Sequence, residues 1–275
     1  MKPGTLEHPF LHRISSETAP TVEDVTGAPA GTTKEVAVVA RAGRRWRRRT
    51  AGTLAVLVGV PILGVAILWP LTPGVANADQ LVRAHMAATH SPELVALPKP
   101  DRVGQALIAT EDSRFFYTLG IDPVSVVRWG VGTVIGSGDT GGATLEQQLA
   151  KNLYVARDTG ISTKAQEAEL AVKLDVQYSK DEVLRLYLAE VYFGHGFYGL
   201  PAAAQGYFGV EPAALSWAQA SLLAGLVLAP SEFDPLHDFV AALARERHVL
   251  NRLVATHVLS SAQADAAFAA PLGLT

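Results

Sequence analysis

Glu111 and Asp112 stand side by side between an apolar run and the aromatic pair Phe115-Phe116. A carboxylate at such a polar–apolar junction can have its pKa raised and serve as a general base or acid. Taken alone, the pair reads first as a solvated helix end, and only second as a functional pair. Glu167 is a third candidate; it reads as a first-turn helix residue, where the helix dipole favours a carboxylate whatever its role. Other chemistries find less support. With no cysteine there is no disulfide scaffold, Cys-ligated zinc or cysteine nucleophile. His85, His90, His237, His248 and His257 form no close ligand pair, and His195 in Gly-His-Gly reads as a turn residue. The glycine-rich stretch at 129–142 is a mobile loop or a backbone that something approaches closely. It lacks the spacing and Lys-Ser/Thr ending of a phosphate-binding loop.

The elements that must carry these residues are helical. Val103, Ala106, Leu107 and Thr110 recur at helical spacing into Glu111. Thr144 and Gln147 form a capping box opening a helix through Leu149 and Leu153. Ser162 or Thr163 caps another, with Leu170 and Leu174 on one face. Ser179 and Glu182 make a second capping box, followed by Val183, Leu184, Tyr187, Leu188 and Val191. Residues 217–228 are nearly all apolar, and Val240, Leu243, Leu250 and Val254 mark an amphipathic helix. No alternating pattern is long enough for a sheet. The expectation is a mainly α domain.

The formal net charge of −3 hides a division. Residues 1–50 carry nine Lys/Arg against five Asp/Glu, and the remainder 14 against 21, so the parts are +4 and −7. Between them, residues 51–78 carry no charge, and 51–69 are almost wholly apolar. Nineteen residues at about 1.5 Å each give roughly 28 Å, close to the hydrocarbon thickness of a bilayer. Arg41, Arg44, Arg45, Arg47, Arg48 and Arg49 precede the stretch, and Trp46 and Trp69 flank it. Arginine clusters stay on the cytoplasmic side, so the N-terminus is expected inside and the main domain outside. A cleaved signal peptide is the alternative, since Ala76-Asn77-Ala78 fits a small-x-small cleavage site. The sequence divides into a disordered basic tail (1–50), a transmembrane helix (51–70), a linker and membrane-proximal segment (71–97) and the main domain (98–275). A near-neutral chain with an acidic outer domain argues against a nucleic-acid partner.

The carboxylates and glycines also recur in a known order. Ala109-Thr-Glu111-Asp112-Ser-Arg-Phe115 with Gly120-Ile-Asp122 resembles the first motif of the peptidoglycan glycosyltransferases. These are the lysozyme-like domains of class A penicillin-binding proteins and their monofunctional relatives. Gly141-Gly142-Ala-Thr144-Leu-Glu-Gln147-Gln148-Leu-Ala-Lys151-Asn152 resembles the second motif, and Lys164-Ala-Gln-Glu167 the third. Lys180 through Tyr187-Leu188 to Val191-Tyr192-Phe193-Gly194 resembles the fourth. Tyr198-Gly199, Tyr207-Phe208-Gly209 and Leu223-Ala224-Gly225-Leu226 to Pro230 complete the set. The resemblance covers about 98–259. The chain departs from the family pattern at Thr118, Ala143, Glu146, Thr163 and Ala189, where His, Ser, Thr, Arg and Asn are usual. These changes weaken polar and cationic contacts to an anionic substrate.

The resemblance implies a lysozyme-like domain behind a membrane helix that polymerises lipid II into β-1,4-linked glycan strands, inverting the anomeric carbon and releasing undecaprenyl pyrophosphate. It makes Glu111 the base and Glu167 the second catalytic glutamate. Asp112, Phe115, Gly141, Gly142, Thr144, Gln147, Gln148, Lys151, Asn152 and Lys164 become supporting or substrate-binding residues. Lys151 and Lys164, with Arg157 or a divalent Mg or Mn ion near Glu167, would meet the charge of the leaving pyrophosphate. The implied partners are lipid II, the nascent strand, the membrane, and cell-wall synthesis proteins such as penicillin-binding transpeptidases. The apolar 129–135 segment either dips into the bilayer or is a core helix with a glycine-rich exit. Without Ser-x-x-Lys or Lys-Thr-Gly, and with the chain ending soon after the motifs, no transpeptidase domain is expected. A glycan-cleaving hydrolase and a non-catalytic anchored binding module are the rival readings.

Overall fold

The computed structural model describes residues 69–136, 142–155 and 161–275. The basic tail and all but the last two residues of the expected 51–70 span lie outside them. Trp69 and Pro70 form a turn, and no helix among the described residues is long and apolar enough to cross a membrane. Those residues form ten α-helices, two short 3-10 turns and one isolated antiparallel bridge, Tyr192 to Tyr198. The expectation of a mainly α domain holds.

The helices that carry the motifs begin where their caps dictate. In α2 (Arg102–Glu111) the Asp101 side chain accepts the Gly104 N–H, and Val103, Ala106 and Leu107 are buried. In α3 (Pro123–Ile135) the Asp122 carboxylate caps Val124 and Ser125 and is also paired with Arg114. Those contacts hold its pKa down to about 2 despite the opposing effect of burial. Helix α4 (Leu145–Tyr154) opens on the Thr144–Gln147 capping box and α6 (Lys180–Glu190) on the Ser179–Glu182 box, both as the spacing predicts. Helix α5 (Ile161–Gln177) buries Leu170 and Leu174 as expected. It already includes Ser162 and Thr163, which are therefore not its caps, and Glu167 falls in its second turn rather than its first.

Two further features were not legible, while a helix through 129–135 is one of the two readings of that segment. Helix α1 (Ala78–Ala88), inside the segment read as a linker, buries Ala78, Val82 and Met86 and packs on α6. The segment before it is tied to α5. Lys173 Nζ donates to the carbonyl oxygens of Trp69 (2.8 Å) and Thr72 (3.0 Å), and Tyr154 and Tyr178 donate to Val75 O. The stretch from 129 continues as helix to Ile135, and Gly136 ends it in the left-handed region at φ 67°. Helices α7 (Leu200–Phe208) and α8 (Trp217–Leu226) precede α9 (Phe239–Ala255), whose buried face is Ala242, Glu246, Val249, Leu250 and Leu253. That face is rotated from the expected stripe, leaving Val240 78% exposed. Helix α10 (Ser261–Ala269) packs on α9. The core that positions the site is α2 packed against α8 and α9, beside α4 packed against α5 and α6.

Candidate active site

Glu111 is the last residue of α2, and its partner comes from the far end of the sequence. Arg245 on α9 places Nη2 at 2.8 Å from Glu111 Oε1, with both side chains largely buried (11% and 15% exposed). The guanidinium is itself held: Nε donates to Gly225 O at 3.1 Å, and its Cζ lies over the Phe233 ring, 5.8 Å from the centroid. Gly225 makes room for this, since a Cβ there would stand 2.8 Å from Arg245 Cγ. Seven residues on, Arg252 Nε donates to Ala109 O, so two arginines pin α9 to the end of α2. Burial raises the Glu111 pKa, and the Arg245 charge and hydrogen bond only partly oppose it. The result is a desolvated carboxylate with one oxygen bonded to the guanidinium. Sequence reasoning missed Arg245. Its signal was an arginine seven residues from a second one, alongside the positions that the helix buries.

The neighbouring motif residues divide into scaffold and pocket. Asp112 is buried and accepts the Leu145 N–H at 3.2 Å, joining the end of α2 to the start of α4. Burial pushes its pKa up, against the pull of that hydrogen bond and of Lys180. Phe115, expected to support substrate, is fully buried beneath the Lys180 ammonium and belongs to the core. Thr144 and Gln147 also spend their side chains locally. Thr144 Oγ1 accepts the Gln147 N–H and donates to Gly120 O, while Gln147 Oε1 accepts the Thr144 N–H. Neither is free to bind a ligand through those atoms. Gly142 comes to the Glu111 backbone, where an added Cβ would stand 3.8 Å from its carbonyl oxygen. Gly141 and Arg157 lie outside the described residues.

Gln148, Lys151 and Asn152 do come together. With Tyr187 and Tyr192 they line a pocket of about 330 Å³ whose apolar wall includes Val191, Val227, Leu228 and Pro230. Tyr187 donates to Gln148 Oε1 at 2.6 Å, and burial raises its pKa, helped by the charges of Glu111 and Glu190. Glu190, which the sequence did not single out, accepts Asn152 Nδ2 at 2.9 Å, and burial lifts its pKa to about 6.

Glu167 is placed differently. It is buried, and its Oε2 accepts from Lys164 Nζ at 2.7 Å, three residues earlier on α5. It makes no hydrogen bond to the pocket residues. At the place expected for a Mg or Mn ion, the Lys164 ammonium stands against one Glu167 oxygen. Among the described residues no group of three His, Cys, Asp or Glu gathers to hold a metal. Two of the departures also resolve. Glu146, expected to weaken binding of an anionic substrate, is fully buried, with Lys180 Nζ at 2.6 Å from Oε1. It therefore presents no charge to a ligand. Thr118 is buried as well.

Comparison with known proteins follows this geometry. The transglycosylase family model matches residues 82–254. A candidate transglycosylase of Cupriavidus necator is 34% identical over 222 residues, 80% of this chain and 94% of that protein. Penicillin-binding protein 1A of Aquifex aeolicus is 40% identical over 178 residues, 63% of this chain but 24% of the relative. A crystal structure of penicillin-binding protein 1A from Haemophilus influenzae is 35% identical where matched. It covers 36% of this chain and 15% of that one, with a TM-score of 0.34, too low to speak for the overall fold. The chain thus spans about a quarter of the length of the penicillin-binding protein 1A relatives, and nearly all of the Cupriavidus protein. By a match over more than half its length and a near full-length relative, the chain belongs to the transglycosylase family.

Proposed function

We propose that the protein polymerises lipid II into peptidoglycan glycan strands at the outer face of the bacterial cytoplasmic membrane. The observation that carries this reading is the buried Glu111 carboxylate, held by Arg245 at one oxygen, in a chain whose Gln148, Lys151 and Asn152 line one pocket. Because Oε1 is bonded to the guanidinium, Oε2 is the atom that takes the proton from the 4-hydroxyl of the acceptor sugar. The freed oxygen attacks the anomeric carbon of the donor, and the bond from that carbon to the pyrophosphate oxygen breaks. The configuration inverts and undecaprenyl pyrophosphate departs. Lys151, which makes no ion pair among the described residues, and Lys164 are the cations for the departing charge. A lipid-linked substrate also needs a bilayer. Phe116, Tyr117, Leu119, Val124, Val126 and Val127 are exposed within a short stretch of chain, apolar surface suited to lipid contact. The arginine block and the apolar 51–70 segment support a single membrane pass with the N-terminus in the cytoplasm, and transpeptidases that crosslink the strands are the natural partners.

The test is to incubate the full-length protein in detergent with labelled lipid II. Glycan polymer is expected. Cleavage of finished glycan, or no polymer from folded protein, would overturn the reading in favour of a hydrolase or a binding module.

A further inference from the structure

Glu190 is a buried carboxylate that the mechanism above does not use, yet it touches the pocket through one residue. Its oxygen accepts the Asn152 side-chain N–H, and Asn152 is exposed on the pocket wall. An ionised carboxylate can only accept hydrogen bonds, so Asn152 must turn Nδ2 toward it. That fixes which way round the carboxamide sits. Its Oδ1, which has no hydrogen-bond donor among the described residues, is then left for a ligand. The adjacent Lys151 ammonium is likewise unpartnered. A carbonyl acceptor beside an ammonium donor is complementary to an acylamino group, which offers one N–H and one C=O. Val191 and Leu228 supply apolar surface of the kind an acyl methyl needs.

We propose that Glu190 is a specificity-determining positioning residue: by fixing the Asn152 carboxamide it selects a sugar bearing an N-acyl group over its free-amine counterpart. This rests on the reading of the protein as a polymerase of amino-sugar glycan, and it adds a residue that selects among sugars. Tyr187, which donates to Gln148 at 2.6 Å, lines the same pocket as the selecting residue Asn152.

The experiment uses full-length protein in detergent with two soluble probes, N,N′-diacetylchitobiose and its N-deacetylated form. Saturation-transfer NMR on wild type should show the acetamido methyl groups in contact and little transfer to the deacetylated sugar. Glu190→Gln, which can donate as well as accept, releases the carboxamide and should weaken the acetylated probe about tenfold, the loss of one hydrogen bond. Asn152→Ala should do the same. The double variant should bind no worse than either single one, because the two residues act as a unit. In polymerisation, the KM for lipid II should rise in Glu190→Gln more than kcat falls, a split that a general loss of fold would not produce. Unchanged probe binding in Glu190→Gln, additive losses in the double variant, or no discrimination by wild type would each overturn the proposal. Should Glu190→Gln fail to fold, the exposed Asn152→Ala still decides. If wild type makes no polymer, the polymerase reading fails while the probe binding still reports on Glu190.

Discussion

The two glutamates offered as catalytic occupy opposite kinds of environment. Glu111 is fixed by a partner 134 residues away, and that arginine is tied to a backbone carbonyl and an aromatic ring. Glu167 is fixed by Lys164, three residues away on the same helix, whose side chain is 66% exposed. The first pair is part of the packing of α9 on α2 and cannot open without disturbing it. In the second, the buried Glu167 is met by an ammonium on an exposed side chain that solvent and a passing anion can reach. A base benefits from being rigid and desolvated. A cation that meets a leaving group benefits from being reachable. This contrast fits the proposal that Glu111 removes the proton while the Lys164–Glu167 side compensates charge.

The comparison can be broken at either end. Glu111→Gln should lower the polymerisation rate by about a thousandfold, within the range for removal of a general base. Initial rates on lipid II measure it. Arg245→Gln should cost about a hundredfold and move the acid limb of the pH–rate profile. The sign is fixed: Arg245 favours the ionised Glu111, so without it the pKa, already raised by burial, rises further and activity is lost at a higher pH. Arg245→Lys should restore much of the rate. Lys164→Ala should cut the rate about tenfold and lower Tm by several degrees, because it leaves the buried Glu167 carboxylate without its partner. Should Lys164→Ala leave the rate unchanged, or Arg245→Gln leave the profile unmoved, the corresponding role would be contradicted. The smallest effect concerns stability on the Glu111 side. Glu246, adjacent to Arg245, is buried with one oxygen unpartnered, and burial lifts its pKa to about 7 from the usual 4.5. The folded state binds a proton there between those values that the unfolded state does not, so this contribution to stability is present below 4.5 and lost as the pH rises through 7. Glu246→Gln should flatten that dependence and raise Tm at pH 8 by about 3 °C, read by thermal melts across pH.

The same contrast explains what the sequence could reveal. Thr144 with Gln147, and Ser179 with Glu182, are three residues apart, so spacing alone exposes them and both capping boxes form. The Lys164–Glu167 pair belongs to that class. Glu111 with Arg245, Asn152 with Glu190 and Lys173 with the turn at Trp69 are contacts between distant segments, and no local pattern encodes them. The rotated face of α9 has a physical cause too. It buries a glutamate at 246 and an alanine at 242, so a count of large apolar residues places the stripe elsewhere. Glu146 misleads in the opposite sense, because a carboxylate beside a binding motif looks ligand-facing until its lysine partner in the core is found. Phe115 packs in the core, and Thr144 and Gln147 cap α4, duties that residue type alone does not separate from ligand contact.

The most direct test of the central claim is the rate of lipid II polymerisation by wild type and by Glu111→Gln, side by side, with circular dichroism on both. Polymer from wild type and a fall of about a thousandfold in an equally folded variant is the predicted result. Equal rates from the two proteins would contradict the assignment of Glu111 Oε2 as the atom that takes the proton.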